Sequence, residues 1–371
     1  MFIDNNQDFN TLLQKLMSKS VLALDTEFHW TKTYNPIPAL LQIADDQDVY
    51  LVDLTIVTDY QLFKEVLEKP EIVKLFHSCD QDMILLDLMC GARPTSLFDT
   101  QLAAAICGDT DNLHSYAKLV HRYLDTELSK ESQRSDWLAR PLSDKQLRYA
   151  ENDVTYLYQL YPILKEKLEA LGRLDWAYED TSIYAEDDFY TPLPDRELYK
   201  KIKGCGRLKR RNIAIVREIV EWREEQARKI DRRPRRVISD KALLDMATKK
   251  PANFQALKAT YDLGSFTVQR NSDKLLELID TAVKLDESEL PPAIAGAAPS
   301  KEEEKFEKKL FQVLAEVSEA SQIAETVLCS RAKLRSAVYR FFKTKEVSLD
   351  FLNNWRSELL SDKITAALKN I

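Results

Sequence analysis

Glycine is scarce in this chain, seven in 371 residues, and hydrophobic residues make up 44% of it. That composition suits a globular, largely helical protein, and the length exceeds one ordinary core, so two or three domains are expected. Cysteine is rarer still. Cys79, Cys90, Cys107, Cys205 and Cys329 are scattered, odd in number and without a C-x-x-C pair. This excludes a disulfide framework and a thiolate zinc site, and reads as reduced thiols in a cytoplasmic protein. The four histidines are unclustered; His29 and His77 read as core or cleft-edge polar residues rather than ligands. No stretch approaches the roughly 18 consecutive apolar residues of a membrane span. The opening MFIDNNQDFNTLLQKLM has early acids and no long apolar run, so neither a secretion leader nor a membrane partner is expected. A monomer is the expected state.

A formal net charge of −7 speaks against nucleic acid until charge is followed along the chain. From Arg196 to Lys250, nineteen Lys and Arg stand against eight Asp and Glu, an excess of eleven. The densest parts, RLKRRN (207–212) and RKIDRRPRR (228–236), favour a polyanion partner over a merely solvated helix face.

The first half alternates strand and helix signals. VLALD (21–25), ALLQIA (39–44), VYLVDL (49–54) and VKLFH (73–77) are short β-rich apolar runs. Residues 60–69, 83–92 and 100–108 look helical, the last closed by Gly108, and Ser143–Leu171 is helical throughout with Gly172 at its end. The mixture implies a sheet flanked by helices. Residues 173–195 look like an extended acidic linker with aromatic anchors. Helical spacing alone follows over 212–229, 238–251 and 273–285. A second linker rich in Pro, Ala and charge spans 287–304, and residues 305–371 are helical again. The two helical modules have similar length and order, which suggests a diverged internal repeat.

One junction demands an explanation. In VLALDTEFHW (21–30) an apolar strand ends in Asp25 and Glu27, which a strand would point to one face. Buried carboxylates are costly unless paired or bound to a metal. Further acids stand at apolar junctions. VKLFHSCDQDM offers Asp80 and Asp82 at a helix start, and QLRYAENDVTYLY sets Tyr149 and Asp153 one helical turn apart. Acids from three segments suit a site for two divalent cations, Mg²⁺ or Mn²⁺, that clamp the attacking and leaving oxygens in phosphoryl chemistry.

DTEF (25–28), the Asp82 segment and YAENDV (149–154) resemble the three exonuclease motifs of the DEDD superfamily, in the DEDDy form with a tyrosine four residues before the last aspartate. DTQLAAAICG (99–108) and SQRSDWLARPLSDKQLRYAENDVTYL (132–157) look specifically like the ribonuclease D family. Residues 207–285 resemble an HRDC domain, and 305–371 a diverged second one. The resemblance covers most of the chain. It implies an α/β RNase H-like exonuclease domain at 1–172, a linker at 173–199, HRDC domain 1 at 200–286, a linker at 287–304 and a diverged HRDC-like domain 2 at 305–371. It implies a 3′→5′ exoribonuclease that trims tRNA precursors and other structured RNAs to release 5′-mononucleotides. Asp25, Glu27 and Asp153 would hold one metal, with Asp25 bridging to a second. Asp82, favoured over Asp80 by the family register, would help hold that second ion, and Tyr149 would orient the attacking water.

RNA contacts are expected from four places. Phe28 would stack on a terminal base, or else fill the core. Gln42 would reach a terminal ribose, or else satisfy backbone groups at a strand edge. Lys130, Ser132, Arg134, Asp136 and Trp137 form a polar loop facing RNA phosphate, with helix capping as a competing role for Asp136. Arg207, Lys209, Arg210 and Arg211 would touch phosphates, which set affinity rather than sequence preference. Trp222 reads as a core anchor. A DNA exonuclease and a non-catalytic RNA-binding scaffold are the alternatives; the scaffold predicts a missing acid, and none is missing.

Overall fold

The computed structural model describes residues 1–108, 115–129, 134–260, 262–294, 299–352 and 354–369, with no side-chain description for 265–268. Six strands build one mixed sheet: β1 (Phe2–Ile3), β2 (Val21–His29), β3 (Ile37–Ala44), β4 (Val49–Asp53), β5 (Val73–Phe76) and β6 (Leu97–Asp99), in the order β1-β4-β3-β2-β5-β6. The β2–β3 and β3–β4 pairs are antiparallel and the other three parallel.

The alternation in β2 decides what each face meets. Leu22 and Leu24 join Leu41, Ile43 and Val52 in a core shared with α1 (Asn6–Leu16), α2 (Gln61–Glu68) and α3 (Asp80–Cys90). Ala23 and Ala44 face the other way. They enter the core shared with α4 (Thr100–Ile106), α5 (Tyr116–Leu124) and the 27-residue α6 (Asp144–Ala170). α6 starts on a reciprocal cap, in which Ser143 Oγ accepts from the Gln146 N–H and Gln146 Oε1 accepts from the Ser143 N–H. Ala150, Val154, Leu157, Leu160, Leu164 and Leu168 are its buried stripe.

Residues 173–195 are not an extended linker. They fold as α7 (Leu174–Thr181) and, after a short turn, α8 (Asp187–Tyr190). Their apolar residues find partners that local spacing does not reveal. Ala177 and Thr181 are buried, and the Thr181 hydroxyl donates to the Leu97 carbonyl at 2.6 Å. The first helical module holds α9 (Arg210–Lys229), α10 (Pro234–Val237), α11 (Asp240–Lys249), α12 (Phe254–Lys258) and α13 (Ser265–Lys284) around Ile213, Val216, Val220, Trp222 and Leu243. Ser239 caps α11 as its spacing suggests.

The last module, α14 (Lys301–Ser321), α15 (Glu325–Leu328), α16 (Arg331–Thr344) and α17 (Asn354–Lys369), returns to the nuclease half. Its Leu310, Leu314, Ile364 and Leu368 belong to the core that also contains α4 and α6. Trp355 stacks on Trp176 at 4.8 Å, and Asp180 pairs with Arg356. Gly108 matters here: its φ is +96°, and a β-carbon on it would stand 2.9 Å from the Gln322 carbonyl oxygen. Only glycine lets the module approach this closely.

Candidate active site

β2 carries two acids out of the core on the face that α6 covers. A bulge between Glu27 and Phe28 ends the regular register with β3 at that point. α6 lies against β2, β3 and β4, and its buried stripe aims Asp153 at the same place. Carboxylate oxygens of Asp25, Glu27 and Asp153 all lie within 4.8 Å of one another. Among the described residues this is the one group of three or more metal-ligating side chains so close together.

Asp82 stands beside this trio, 7% exposed, with its carboxylate accepting from the Thr26 hydroxyl. Its charge bears on both Asp25 and Glu27. Asp80 is exposed and bonded instead to the Tyr184 hydroxyl. Of these two acids it is Asp82, the one favoured from the sequence, that stands beside the trio. Thr26 is a residue that sequence reasoning missed; as the middle of D-T-E it faces away from its neighbours, and only the placement of α3 gives it a partner.

Burial pushes all four acids up, and like charge adds to it for Asp25, Glu27 and Asp82. Asp25 is raised well above the usual carboxylate range by burial, then by Asp153, Asp82 and Glu27. Glu27 rises to about 9 by burial and the charges of Asp153 and Asp82. Burial takes Asp153 to about 8, and it takes Asp82 to about 7 against the opposing Thr26 hydrogen bond. Such a cluster is unfavourable when ionised and bare. Cations relieve it, and a donor set of carboxylate oxygens alone suits Mg²⁺ or Mn²⁺ rather than a thiolate-preferring metal.

Tyr149 lies one turn before Asp153, its ring tilted on buried Trp137 at 5.9 Å. Burial and then the Asp153, Glu27 and Asp25 charges raise its phenol above the ordinary value, so the hydroxyl stays protonated. A recess of about 120 Å³ between Tyr149, Asp153, Asn152 and Tyr116 adjoins it. Tyr116, also missed from the sequence, donates to the Asn152 carbonyl at 2.9 Å and has its own phenol raised by burial and by Asp153. Trp137 is placed by Arg140, which donates to both carboxylate oxygens of buried Asp53 at 2.6 Å and to the Trp137 carbonyl at 2.7 Å.

The expected RNA contacts divide. Phe28 is half-buried, belongs to none of the buried clusters, and meets Trp30 edge-on at 6.4 Å, which leaves it outside the core. Gln42 is fully buried as the cross-strand neighbour of Asp25, with neither amide atom partnered among the described residues. A side chain sealed inside a central strand does not present itself to a ribose, so that expectation is corrected. Arg134 is exposed; Asp136 accepts from the Leu138 N–H at 3.1 Å; Lys130 and Ser132 lie outside the described residues. Arg207 and Lys209 are exposed. Arg210 donates to the carbonyls of Glu287, Leu290 and Pro291, and Arg211 to those of Val283 and Leu285. Those guanidinium groups tie down the end of α13 and the segment after it, a structural use that replaces the phosphate contact expected of them.

Two carboxylates on an interior strand of a mixed sheet, with Asp82 of α3 and with Asp153 and Tyr149 of α6 beside them, make the site of a metal-dependent 3′–5′ exonuclease. Comparison with known proteins agrees. The family model for the 3′–5′ exonuclease matches residues 1–169, and that for the HRDC domain residues 212–279. Ribonuclease D of Pseudomonas paraeruginosa is 35% identical over 94% of this chain and 92% of its own length. That of Desulfotalea psychrophila is 30% identical over 97% and 96%. The crystal structure of Escherichia coli RNase D, described as an exoribonuclease involved in structured RNA processing, superposes with a TM-score of 0.89 at 27% identity, covering 100% of this chain and 98% of that one. The chain belongs to the ribonuclease D family.

Proposed function

We propose that this chain trims the 3′ ends of tRNA precursors and other structured RNAs, one 5′-mononucleotide at a time. The convergence of Asp25, Glu27 and Asp153 within 4.8 Å carries this reading, with Asp82 and Tyr149 beside them. Asp25, Glu27 and Asp153 would hold one cation, and Asp82 with Asp25 would help hold a second; either Mg²⁺ or Mn²⁺ fits the donors. Bound there, the cations neutralise phosphate charge and make water a better nucleophile. Tyr149 hydrogen-bonds the attacking water, and its raised pKa suits it to positioning rather than to taking a proton. Phe28 stacks on the terminal base, a contact that tolerates any sequence. Arg134, Arg207 and Lys209 contact phosphates.

We infer an exonuclease domain over 1–172 and two HRDC-like modules over 200–286 and 305–371. The protein works as a monomer in the cytoplasm. The five cysteines are thiols rather than disulfides, which accords with a reducing compartment, and no described helix is long and apolar enough to cross a membrane.

The test is mass-resolved digestion of a 3′-extended tRNA and a matching DNA strand, with Mg²⁺, with Mn²⁺ and with chelator. Stepwise, metal-dependent loss of mononucleotides from the RNA alone is expected. Equal trimming of the DNA would move the substrate class to DNA.

A further inference from the structure

The loop that leaves the acid-bearing strand does not end in solvent. The first helical module grips it. The Tyr34 N–H donates to Asp231 at 2.9 Å, Arg228 donates to the Tyr34 hydroxyl at 3.1 Å, and Arg233 donates to the Trp30 carbonyl at 2.9 Å. The Arg233 guanidinium also lies 4.8 Å from the Trp30 ring, and Trp30 Nε1 closes the loop on the Tyr34 carbonyl. Beside this grip opens a cavity of about 750 Å³ that contains residues of both parts.

The walls of that cavity are unequal in charge. Lys201, Arg223, Arg233, Arg235 and Arg236 face Glu224 and Asp240, five cations against two acids. Both acids are already engaged. Arg223 donates to Asp240 at 2.8 Å and pairs with Glu224 at 3.5 Å, and Arg235 holds the other Asp240 oxygen at 2.9 Å. Three positive charges, on Lys201, Arg233 and Arg236, are left without an acid. Lys201 and Arg236 are exposed and have no ion-pair partner among the described residues. Cations gathered in a concave wall attract an anion.

The position says which anion. Thr31 lines the cavity and stands only four residues beyond Glu27, so at most about 14 Å of extended chain separates it from the catalytic acids. Phe28 and Trp30 belong to that short stretch, and Tyr34 follows it in the same loop. Cations interleaved with aromatic rings are what a flexible single strand needs, with phosphates held electrostatically and bases stacked.

We propose that this junction is a phosphate-binding site for the single-stranded RNA a few nucleotides upstream of the 3′ end, built jointly by the β2–β3 loop and the first helical module. It rests on the exoribonuclease reading above and adds residues outside the cluster at 207–211. The site makes the helical module part of the substrate path. A strand long enough to reach it is held at both ends of the reaction site, while a dinucleotide engages the acids alone.

The test compares the wild type with Lys201→Ala/Arg236→Ala and with the charge-keeping Lys201→Arg/Arg236→Lys. Binding of a single-stranded RNA is measured against salt in an Asp25→Asn background, so that the RNA survives. The alanine pair should weaken binding about tenfold and flatten the slope of log K against log salt by about 1.4, two contacts at roughly 0.7 each. The charge-keeping pair should restore both. In catalysis, the advantage in kcat/KM of a longer strand over a dinucleotide should shrink by the same factor for the alanine pair. An unchanged affinity and slope would overturn the site. A wild type that shortens neither RNA would instead overturn the exonuclease reading, while the binding result would still stand for the site.

Discussion

Asp25 is the residue on which the site turns. Its carboxylate lies within 4.8 Å of those of Glu27 and Asp153, and its pKa is raised by burial and then by all three neighbouring acids. Asp25→Asn should lower turnover by at least about 10²-fold, because the charge that holds the cations is what the transition state uses. RNA binding by the helical module should change little. Digestion assays alongside binding on an uncleaved strand separate the two, and turnover near wild type would dismiss the assignment. Gln42 poses a different residue-scale question. Its amide is fully buried and without a partner among the described residues. An unpaired buried polar group costs about 1–3 kcal/mol. Gln42→Leu, close in volume, should therefore raise the melting temperature. A lower melting temperature would mean that a buried water or the Asp25 carboxylate satisfies the amide.

At the scale of elements, the segment 134–142 fastens α6 to the sheet edge. Arg140 spans from Asp53 at the end of β4 to the carbonyls of Ala39 and Trp137, and Trp137 backs Tyr149. Asp53 is 1% exposed, so removing its partner strands a buried charge. Arg140→Met should cost about 3 kcal/mol in denaturant unfolding and should also slow turnover, since Tyr149 loses its support. An equal loss of stability with full turnover would show that Trp137 holds Tyr149 unaided. The cap of α6, its buried stripe and the Gly172 end were all legible from local spacing. So was the strand alternation that aims Asp25 and Glu27 together. The helix α7 was not. Its apolar side chains face β6 and α17, elements far away in sequence, and read alone the segment looks extended.

For the molecule as a whole, the cluster couples metal, pH and stability. The folded-state values of Glu27, Asp153 and Asp82, about 9, 8 and 7, exceed the roughly 4 of unfolded carboxyls. The folded protein therefore holds protons that the unfolded chain has released. Stability from these groups is complete below the unfolded value and is lost as pH rises through 7 to 9. Metal-free protein should melt at progressively lower temperature from pH 5 to pH 9. Mg²⁺ or Mn²⁺ should raise the melting temperature most at the alkaline end, where no protons must be displaced. A scan showing an equal metal effect at both ends would argue that the acids do not share one site. The return of the last module to the nuclease core also bears on truncation. Removing residues 305–371 would bare the partners of Leu310, Leu314 and Leu368. Point changes at the basic junction therefore test RNA gripping more cleanly than deletion does.

By itself the sequence determined the mixed α/β half and the helical half, and it carried the candidate acids and tyrosine and the motifs of the family. The two halves are written in periodicity and the pairings Asp25/Glu27 and Tyr149/Asp153 in short spacing, which local backbone geometry turns directly into a shared face; the family is carried by the resemblance of the three acidic motifs and their flanks. Tertiary structure alone decided the rest. It gave Thr26 its partner in Asp82, sealed Gln42 inside the sheet and turned Arg210 and Arg211 onto carbonyls. It also brought Asp180 to Arg356 across 176 positions and set Gly108 against Gln322. Those outcomes depend on which surfaces meet once the chain has closed over a long span. A burial cost or a hydrogen bond made across such a distance leaves no period in the residues on either side.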